Sequence, residues 1–177
     1  VGPTRLAVAS VELAKAGFDA TKNMEALTAA AKASVATDYP IESMIEGLMS
    51  ASRQFGESDF SKLANIFAAT ANAAQTSMGD IFEAAKLGGT LGSQLGLSAG
   101  EFAAMTAALN NMGIKSTEAG TQMKILFQNL ANPLGQGKEI LAQAKSIGIS
   151  VTDSVGNLRK PWEIINDMQV KMDELGL

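Results

Sequence analysis

The sequence has 177 residues and a net charge of −4, which is enough chain for one helical domain with a sizeable core, or for two small ones. It contains no histidine and no cysteine. This removes the usual general base, the Ser/His and Cys/His nucleophile arrangements and nearly all zinc and iron–sulfur sites. The 14 basic residues are scattered, without the basic stripe that phosphate binding needs. We expect no catalytic, cofactor-binding or metal-binding residues and no specific nucleic-acid binding.

The composition predicts an all-α fold. Hydrophobic residues make up 46% of the chain, yet only 5% of residues are aromatic, and the apolar content comes from Ala, Leu, Ile and Met. Such residues favour closely packed helices over strands. No apolar run approaches the roughly 18 to 20 residues of a membrane-spanning helix. The chain begins with valine and its final helical run looks cut short, so we expect a single helical domain, residues 1–177, from a longer protein.

Apolar spacing and capping residues predict a compact stack of eight to ten short helices. The second run has Met24, Leu27, Ala31 and Val35 three and four places apart, on one face of a helix. In chain order, the runs cover 5–16, 21–36, 40–54, the stretch after Ser58 or Asp59, those after Ser77 and Ser98, then 117–130, 138–146 and the stretch from Pro161.

Glycine-capped corners join several of these helices. Gly96, Gly113 and Gly148 each end a helical run, and Gly17 does the same upstream. A glycine just past the last helical residue enters the left-handed region at no Cβ cost, and the apolar residue after it folds back onto the final turn. The hydroxyl residue that follows is predicted to cap the next helix. The apolar and hydroxyl residues in question are Leu97 and Ser98, Ile114 and Ser116, and Ile149 and Ser150.

Two capping boxes and one change of period add detail. Ser98 with Glu101, and Ser77 with Asp80, have the reciprocal spacing of a capping box. Between residues 149 and 160 the apolar period shortens around a Gly156-Asn157 turn signal, which predicts either a small β-hairpin or an irregular loop.

Glycines spaced by four at Gly88, Gly92, Gly96 and Gly100 have two interpretations. Small residues at this spacing let membrane helices approach very closely. The segment is short and contains polar residues, which favours a tight helix crossing or a broken helix inside a globular domain.

Two patterns resemble chemical sites and are better explained structurally. Residues 134–138 before a helix resemble a phosphate loop, but the Walker pattern needs glycine at 132 and Ser or Thr at 139, where this chain has Asn132 and Glu139. We interpret the stretch as a loop and helix cap. Paired carboxylates could act in glycoside hydrolysis, yet charges at helix ends are usually solvated caps; the pairs are Glu57 with Asp59 and Asp173 with Glu174.

The nine methionines also have two interpretations. They could form an adaptable surface for a partner. The alanine-rich composition favours the alternative that most of them fill gaps in the core.

Taken in order, these corners closely resemble the core region of bacteriophage or prophage tail tape measure proteins. The resemblance covers nearly the whole chain, and the ordered series is more specific than any one motif. The chain departs from the family pattern at 115–117, where a further glycine would follow the lysine, and in the glycine-rich run 88–90. The resemblance rests on residues 16–18, 70–78, 96–101, 113–121, 130–133, 148–153 and 156–159.

The resemblance implies a structural rather than an enzymatic role. Tape measure proteins are long helical chains around which the tail tube polymerises, which set tail length and which leave through the tube at infection. The implied partners are tube and tail-tip or baseplate proteins, tail assembly chaperones and further copies of the chain, with membrane contact only at infection. The implied locations are the tail lumen or tip of the virion, and the host cytoplasm during assembly. The alternative hypothesis is a soluble helical interaction module of a cellular or prophage-derived protein.

Overall fold

The computed structural model describes residues 2–74, 76–114, 116–131, 137–157 and 159–175. Within these ranges the chain is all-α, with nine helices and no strand, which confirms the predicted fold class. The helices are α1 (Pro3–Lys15), α2 (Ala20–Thr37), α3 (Ile41–Phe55), α4 (Phe60–Ala73), α5 (Met78–Gln94), α6 (Ala99–Asn111), α7 (Ser116–Ala131), α8 (Gly137–Ser146) and α9 (Pro161–Leu175).

The glycine corners are confirmed at the level of individual hydrogen bonds. Gly17, Gly96, Gly113 and Gly148 all have φ between 82° and 89°. At each corner two N–H groups fold back onto the last helical turn, as at Gly96, where Leu97 N–H donates to Gly92 O at 3.0 Å and Gly96 N–H donates to Ser93 O at 2.9 Å. This pair of bonds is the Schellman motif, which satisfies carbonyls that the helix end would otherwise leave unpaired.

Most of the predicted caps are present. Ser98 Oγ accepts the Glu101 N–H at 3.2 Å, and the Glu101 carboxylate accepts the Ser98 N–H at 2.7 Å. Ser77 and Asp80 make the same reciprocal pair. The prediction for Ser150 is wrong, because no helix follows it and its hydroxyl donates to the Thr152 carbonyl at 2.7 Å. The side chain of Ser116 lies outside the described part of the chain.

The stretch after α8 is a tight loop rather than a pair of strands. Asp153 N–H donates to Asn157 O at 2.8 Å, and Arg159 N–H donates to Val151 O at 2.9 Å. Asp153 Oδ1 also accepts the N–H groups of Val155 and Asn157, each at 2.9 Å. The two cross-chain bonds give the loop the outline of a hairpin, and a single carboxylate holds its tip.

The apolar interior forms three neighbouring clusters along the chain. The first lies among α1 to α4 and takes in the starts of α5 and α6. The second lies among α5, α6 and α7. The third joins the end of α7 to α8, the 149–151 stretch and α9. Four methionines are buried in these clusters, which supports the core interpretation for most of the methionines described: Met44, Met78, Met105 and Met123.

The predicted apolar stripe of α2 is only half buried, because Leu27 and Ala31 are partly buried against the core while the residues at its two ends lie in solvent. Met24 is 63% exposed and Val35 is 71% exposed. The buried residues of α2 are small or polar: Asn23, Ala26, Ala29, Ala30, Ala33 and Ser34. Alanines shorten the distance at which neighbouring helices can pack, so this side of α2 faces the core.

The four glycines spaced by four have three different roles. Gly88 and Gly92 lie inside α5 at a close helix crossing, and a methyl carbon placed on Gly88 would lie 3.3 Å from the carbonyl oxygen of Gly120 in α7. Gly96 ends α5 with φ of 83°, and Gly100 lies in the first turn of α6. The interpretation as a tight crossing within a globular domain therefore holds for the first two. Among the described residues, no helix is long and apolar enough to span a membrane.

Candidate interaction surfaces

The carboxylates considered for acid–base chemistry are arranged as a helix cap. Asp59 Oδ1 accepts the Lys62 N–H at 2.9 Å at the start of α4. Glu57 forms an ion pair with the Lys62 ammonium, and that hydrogen bond holds the pKa of the Glu57 carboxyl below its ordinary value of 4.5. A general acid for glycoside hydrolysis needs a raised pKa. This pair is therefore arranged to start a helix rather than to donate a proton.

The other two candidate patterns give no assembled site. Glu174 accepts a hydrogen bond from Lys171 at 2.8 Å on the exposed side of α9, and Asp173 beside it is also exposed. Residues 132–136, with most of the loop that resembles a phosphate-binding motif, lie outside the described residues. Within the described ranges, no three acidic side chains lie close enough together to hold a metal ion.

A cleft lies between the α1–α2 corner, α3 and the start of α4. Its volume is about 730 Å³, within the range of ligand-sized pockets. Phe18 and Phe60 form its apolar wall and contact each other edge to face, with ring centroids 5.1 Å apart. Lys22, Glu25 and Asp59 stand among its lining residues. An apolar wall with mixed charges suits a side chain of a protein partner.

A smaller cleft of about 190 Å³ lies beside Tyr39. Burial raises the pKa of the Tyr39 hydroxyl above its ordinary value of 10.0. Lys86 donates to Glu83 at 2.5 Å, and this bond raises the pKa of the Lys86 ammonium above 10.5. Both groups therefore stay protonated near neutral pH, so neither can serve as a general base there.

The outer face of the α1–α2 hairpin carries exposed apolar residues. A polar bridge sets the register of the two helices, because Asn23 Nδ2 donates to the Ser10 carbonyl at 2.8 Å and Ser10 Oγ donates to Asn23 Oδ1 at 3.0 Å. The next residue on each helix, Val11 on α1 and Met24 on α2, is rotated by 100° from this contact. Since the helices run antiparallel, both rotations lead to the same side of the hairpin.

That side is exposed to solvent and carries apolar residues. Val11 is 52% exposed and Met24 is 63% exposed. Most neighbouring positions on the same side are small and uncharged: Ala7, Ala14, Ala20, Thr28, Ala31 and Val35. Lys15, four residues after Val11, adds an exposed charge beside them, and Ala31 is partly buried against the core. Exposed apolar patches of this kind mark interaction sites more often than single exposed residues do.

Sequence reasoning did not identify this surface as exposed. The signal that could have found it is a second stripe on α2, formed by Ala26, Ala30 and Ala33, which competes with the stripe of larger residues for the core. A helix with one stripe of alanines and another of larger apolar residues can bury either stripe. The packing of the neighbouring helices determines which of the two stripes is buried.

Comparison with known proteins places the chain among phage tail components. The phage-related minor tail protein family matches residues 3–176. A tape measure protein of Pneumococcus phage Dp-1 is 27% identical over 148 residues, which cover 82% of this chain and 13% of that protein. A probable tape measure protein of Escherichia phage P2 is 25% identical over 169 residues, which cover 94% of this chain and 20% of that protein. No solved structure matches the chain.

The chain thus spans only about one-eighth to one-fifth of the length of these two relatives. Their names confirm the resemblance that the ordered corners indicate. The family match leaves out only the first two residues and the last one. The chain therefore belongs to the phage-related minor tail protein family, whose members are structural and assembly components of the phage tail.

Proposed function

We propose that this chain is a segment of a tape measure protein that acts in tail assembly, in tail-length determination and in release through the tube during DNA ejection. The observation that carries the proposal is the family match over residues 3–176, together with two relatives that are both named as tape measure proteins. Residues 1–177 act in this proposal as a single helical domain of a much longer chain.

The chemistry of the chain is compatible with a non-enzymatic role. It has no histidine or cysteine, and the carboxylates Glu57 and Asp59 act in a helix cap. Its net charge of −4 disfavours adsorption to DNA that passes through the same tail.

The partners in this proposal are tube and tail-tip or baseplate proteins, tail assembly chaperones and further copies of the chain. The segment resides in the virion tail, in its lumen or at its tip, after assembly in the host cytoplasm. Membrane contact is confined to infection. The exposed cleft and the outer face of the α1–α2 hairpin are the surfaces best suited to protein contacts.

Two variants of the parent phage distinguish a segment that only adds length to an extended chain from a folded segment whose contacts are needed for tail assembly. The first deletes the segment in frame. The second, Gly120→Leu, keeps the chain length but forces a side chain into the α5–α7 crossing, where even a methyl carbon on Gly120 would lie 2.8 Å from Cα of Ala84. Tail lengths and tail numbers are measured by electron microscopy, with Gly100→Ala as the matched control.

We expect both variants to lose tails, because the folded segment makes contacts that assembly needs, and Gly100→Ala to assemble normally. If the segment serves only as an extended ruler, Gly120→Leu leaves tail length unchanged while the deletion shortens tails. The shortening would approach roughly 265 Å, the length of this chain as one continuous helix. Normal, infectious tails from both variants would contradict the proposal and support the interaction-module alternative.

A further inference from the structure

We propose that the groove between α3 and α5 binds a basic segment of a protein partner, and that a lysine or arginine side chain of this segment enters the small cleft beside Tyr39. The cleft has a volume of about 190 Å³, which is less than the roughly 300 Å³ at which ligand pockets begin. It therefore suits one long side chain rather than a cofactor. The inference names the chemistry of one contact in the proposed tail role, and it rests on that role for the kind of partner.

Regular spacing along α3 builds one wall of the groove. Ser43, Glu46 and Ser50 follow one another at three and four residues, so they lie on one side of the helix. Gly47 lies between them, and a methyl carbon there would lie 2.5 Å from Cε2 of Phe82 in α5. The missing side chain thus lets the two helices approach each other, and the Phe82 ring joins the lining of the cleft.

The lining of the cleft carries more negative than positive charge. Glu46 and Glu83 contribute two carboxylates, and Lys86 contributes one ammonium group, which donates to Glu83 at 2.5 Å. Asp38, directly before Tyr39, is exposed and adds a further carboxylate next to this end of the groove. An excess of negative charge attracts a cationic side chain of a partner and repels an anionic one.

Glu46 is the carboxylate that a partner can pair with. It is exposed, and it makes no hydrogen bond or ion pair with the described residues. Glu83, by contrast, already accepts a hydrogen bond from Lys86. A carboxylate that is unpaired in the free protein gains a charge-assisted hydrogen bond when an ammonium or guanidinium group binds beside it.

The other groups of the cleft favour the same occupant. The hydroxyl oxygens of Tyr39, Ser43 and Ser50 can accept hydrogen bonds, and lysine and arginine side chains only donate them. The Lys86 ammonium disfavours a bare divalent cation, and within the described ranges no three acidic side chains lie close enough together to hold a metal ion. The carboxylates disfavour a nucleic acid. Charge and size therefore both favour a basic protein segment.

A peptide titration of the 177-residue chain tests the groove. The probe is a short blocked peptide with one arginine between alanines. Its matched control replaces the arginine by citrulline, which keeps the shape and removes the charge. NMR chemical shifts of the protein report where each peptide binds. We expect saturable shifts at Tyr39, Gly47, Ser50 and Lys86, with a dissociation constant on the order of 1 mM, and binding of the citrulline peptide that is at least about fivefold weaker.

Glu46→Gln removes the unpaired charge and keeps the size of the side chain. It should weaken binding of the arginine peptide about threefold to tenfold and leave binding of the citrulline peptide unchanged. Glu118→Gln is the matched control, because Glu118 is an exposed carboxylate on α7, which does not line the cleft, and the net charge changes equally. Circular dichroism verifies that both variants fold, and the comparison of the two peptides on the wild-type chain depends on neither variant.

Four results would overturn the inference: shifts that spread over other carboxylates without saturating, equal binding of the two peptides, equal weakening by Glu118→Gln, or the same shifts from about 5 mM magnesium chloride alone. The last result would identify a site for an inorganic cation. Each of the four can occur while the tail deletion still abolishes assembly, and then the groove fails while the tail role stands. Specific binding of the arginine peptide, combined with normal tails in the deletion, retains the groove and contradicts the tail role.

Discussion

Two helix pairs in this protein use small residues for opposite purposes. At the α5–α7 crossing, Gly88 and Gly120 bring backbone atoms of the two helices together, and a methyl carbon on Gly120 would lie 3.0 Å from the carbonyl oxygen of Ala84. In the α1–α2 hairpin, a polar bridge from Ser10 to Asn23 joins the helices. There the alanines of α2 face the core, and Met24 and Val35 remain in solvent.

The comparison shows that small residues set how closely two helices can approach, and that they do not by themselves set which face of a helix is buried. Glycine in both helices permits backbone contact that no other residue allows, so the α5–α7 crossing has no freedom to adjust. Alanine permits close packing with side chains in between, and side-chain contacts relax more readily than backbone contacts do. Substitutions in the first pair should therefore cost more than comparable substitutions in the second.

The largest effect is expected for Gly120→Ala. The new methyl carbon would lie 2.8 Å from Ala84 Cα, and backbone cannot rotate away as a flexible side chain can. We expect the free energy of unfolding, measured by urea denaturation, to fall by about 3 kcal/mol.

Gly100→Ala is the control for that substitution. Its new carbon meets Ile66 Cγ2 at 3.7 Å, an ordinary contact within a helix. The variant should match the wild type or gain up to about 1 kcal/mol, because alanine loses less entropy than glycine on folding. Equal losses from both variants would show that the crossing is not specially tight.

A smaller loss is expected for Ala30→Val in the buried face of α2. Ala30 is fully buried, and two additional methyl groups overfill a packed interface that can partly relax. The free energy of unfolding should fall by about 2 kcal/mol. Val35→Ala, on the exposed side of the same helix, should change stability by less than about 0.5 kcal/mol. The reverse order would mean that α2 buries its larger residues.

The polar bridge between Ser10 and Asn23 should contribute less to the free energy of unfolding than the packing at Ala30. Asn23→Ala removes both hydrogen bonds to Ser10 and leaves a half-buried hydroxyl to find another partner. Thermal or urea unfolding should show a loss of about 1 kcal/mol. Asn65→Ala, at an exposed position of α4, provides the control, and a similar loss there would argue against a role for the bridge.

The smallest effect concerns pH and belongs to the start of α6. Hydrogen bonds from the Ser98 N–H and hydroxyl hold the pKa of the Glu101 carboxyl below its ordinary value of 4.5. A depressed folded-state pKa contributes stability that is present above the unfolded pKa and is lost as pH falls below it. Wild type should lose about 0.5 kcal/mol more than Glu101→Gln when pH drops from neutral to below about 4. Identical pH profiles would contradict the assignment.

The helix boundaries could be read from the sequence because their causes are local. The corner at Gly96 depends on bonds that span at most five residues along the chain, and the cap of α6 joins residues three apart. The end of α2 was less readable, since Asp38, a non-glycine residue, takes the left-handed conformation there with φ of 49°. The failure at Ser150 has a related cause, because a hydroxyl can cap only if a helix follows.

The candidate surfaces could not be read in the same way. Met24 and Val35 belong to an apolar stripe that satisfies the same periodicity as a buried one, and nothing in α2 itself distinguishes the two. Exposure depends on which helices stand on either side, and these come from residues far along the chain. The cleft at Phe18 and Phe60 has the same origin, since its two walls are about forty residues apart.

The sequence by itself determined the all-α class and the positions at which most of the helices begin and end, because capping and glycine conformation act within one or two turns. Only the tertiary structure decided which side of α2 is buried and which of the spaced glycines lie in a crossing. Those outcomes depend on the separation between helices, and a helix alone carries no information about how closely its neighbours can approach.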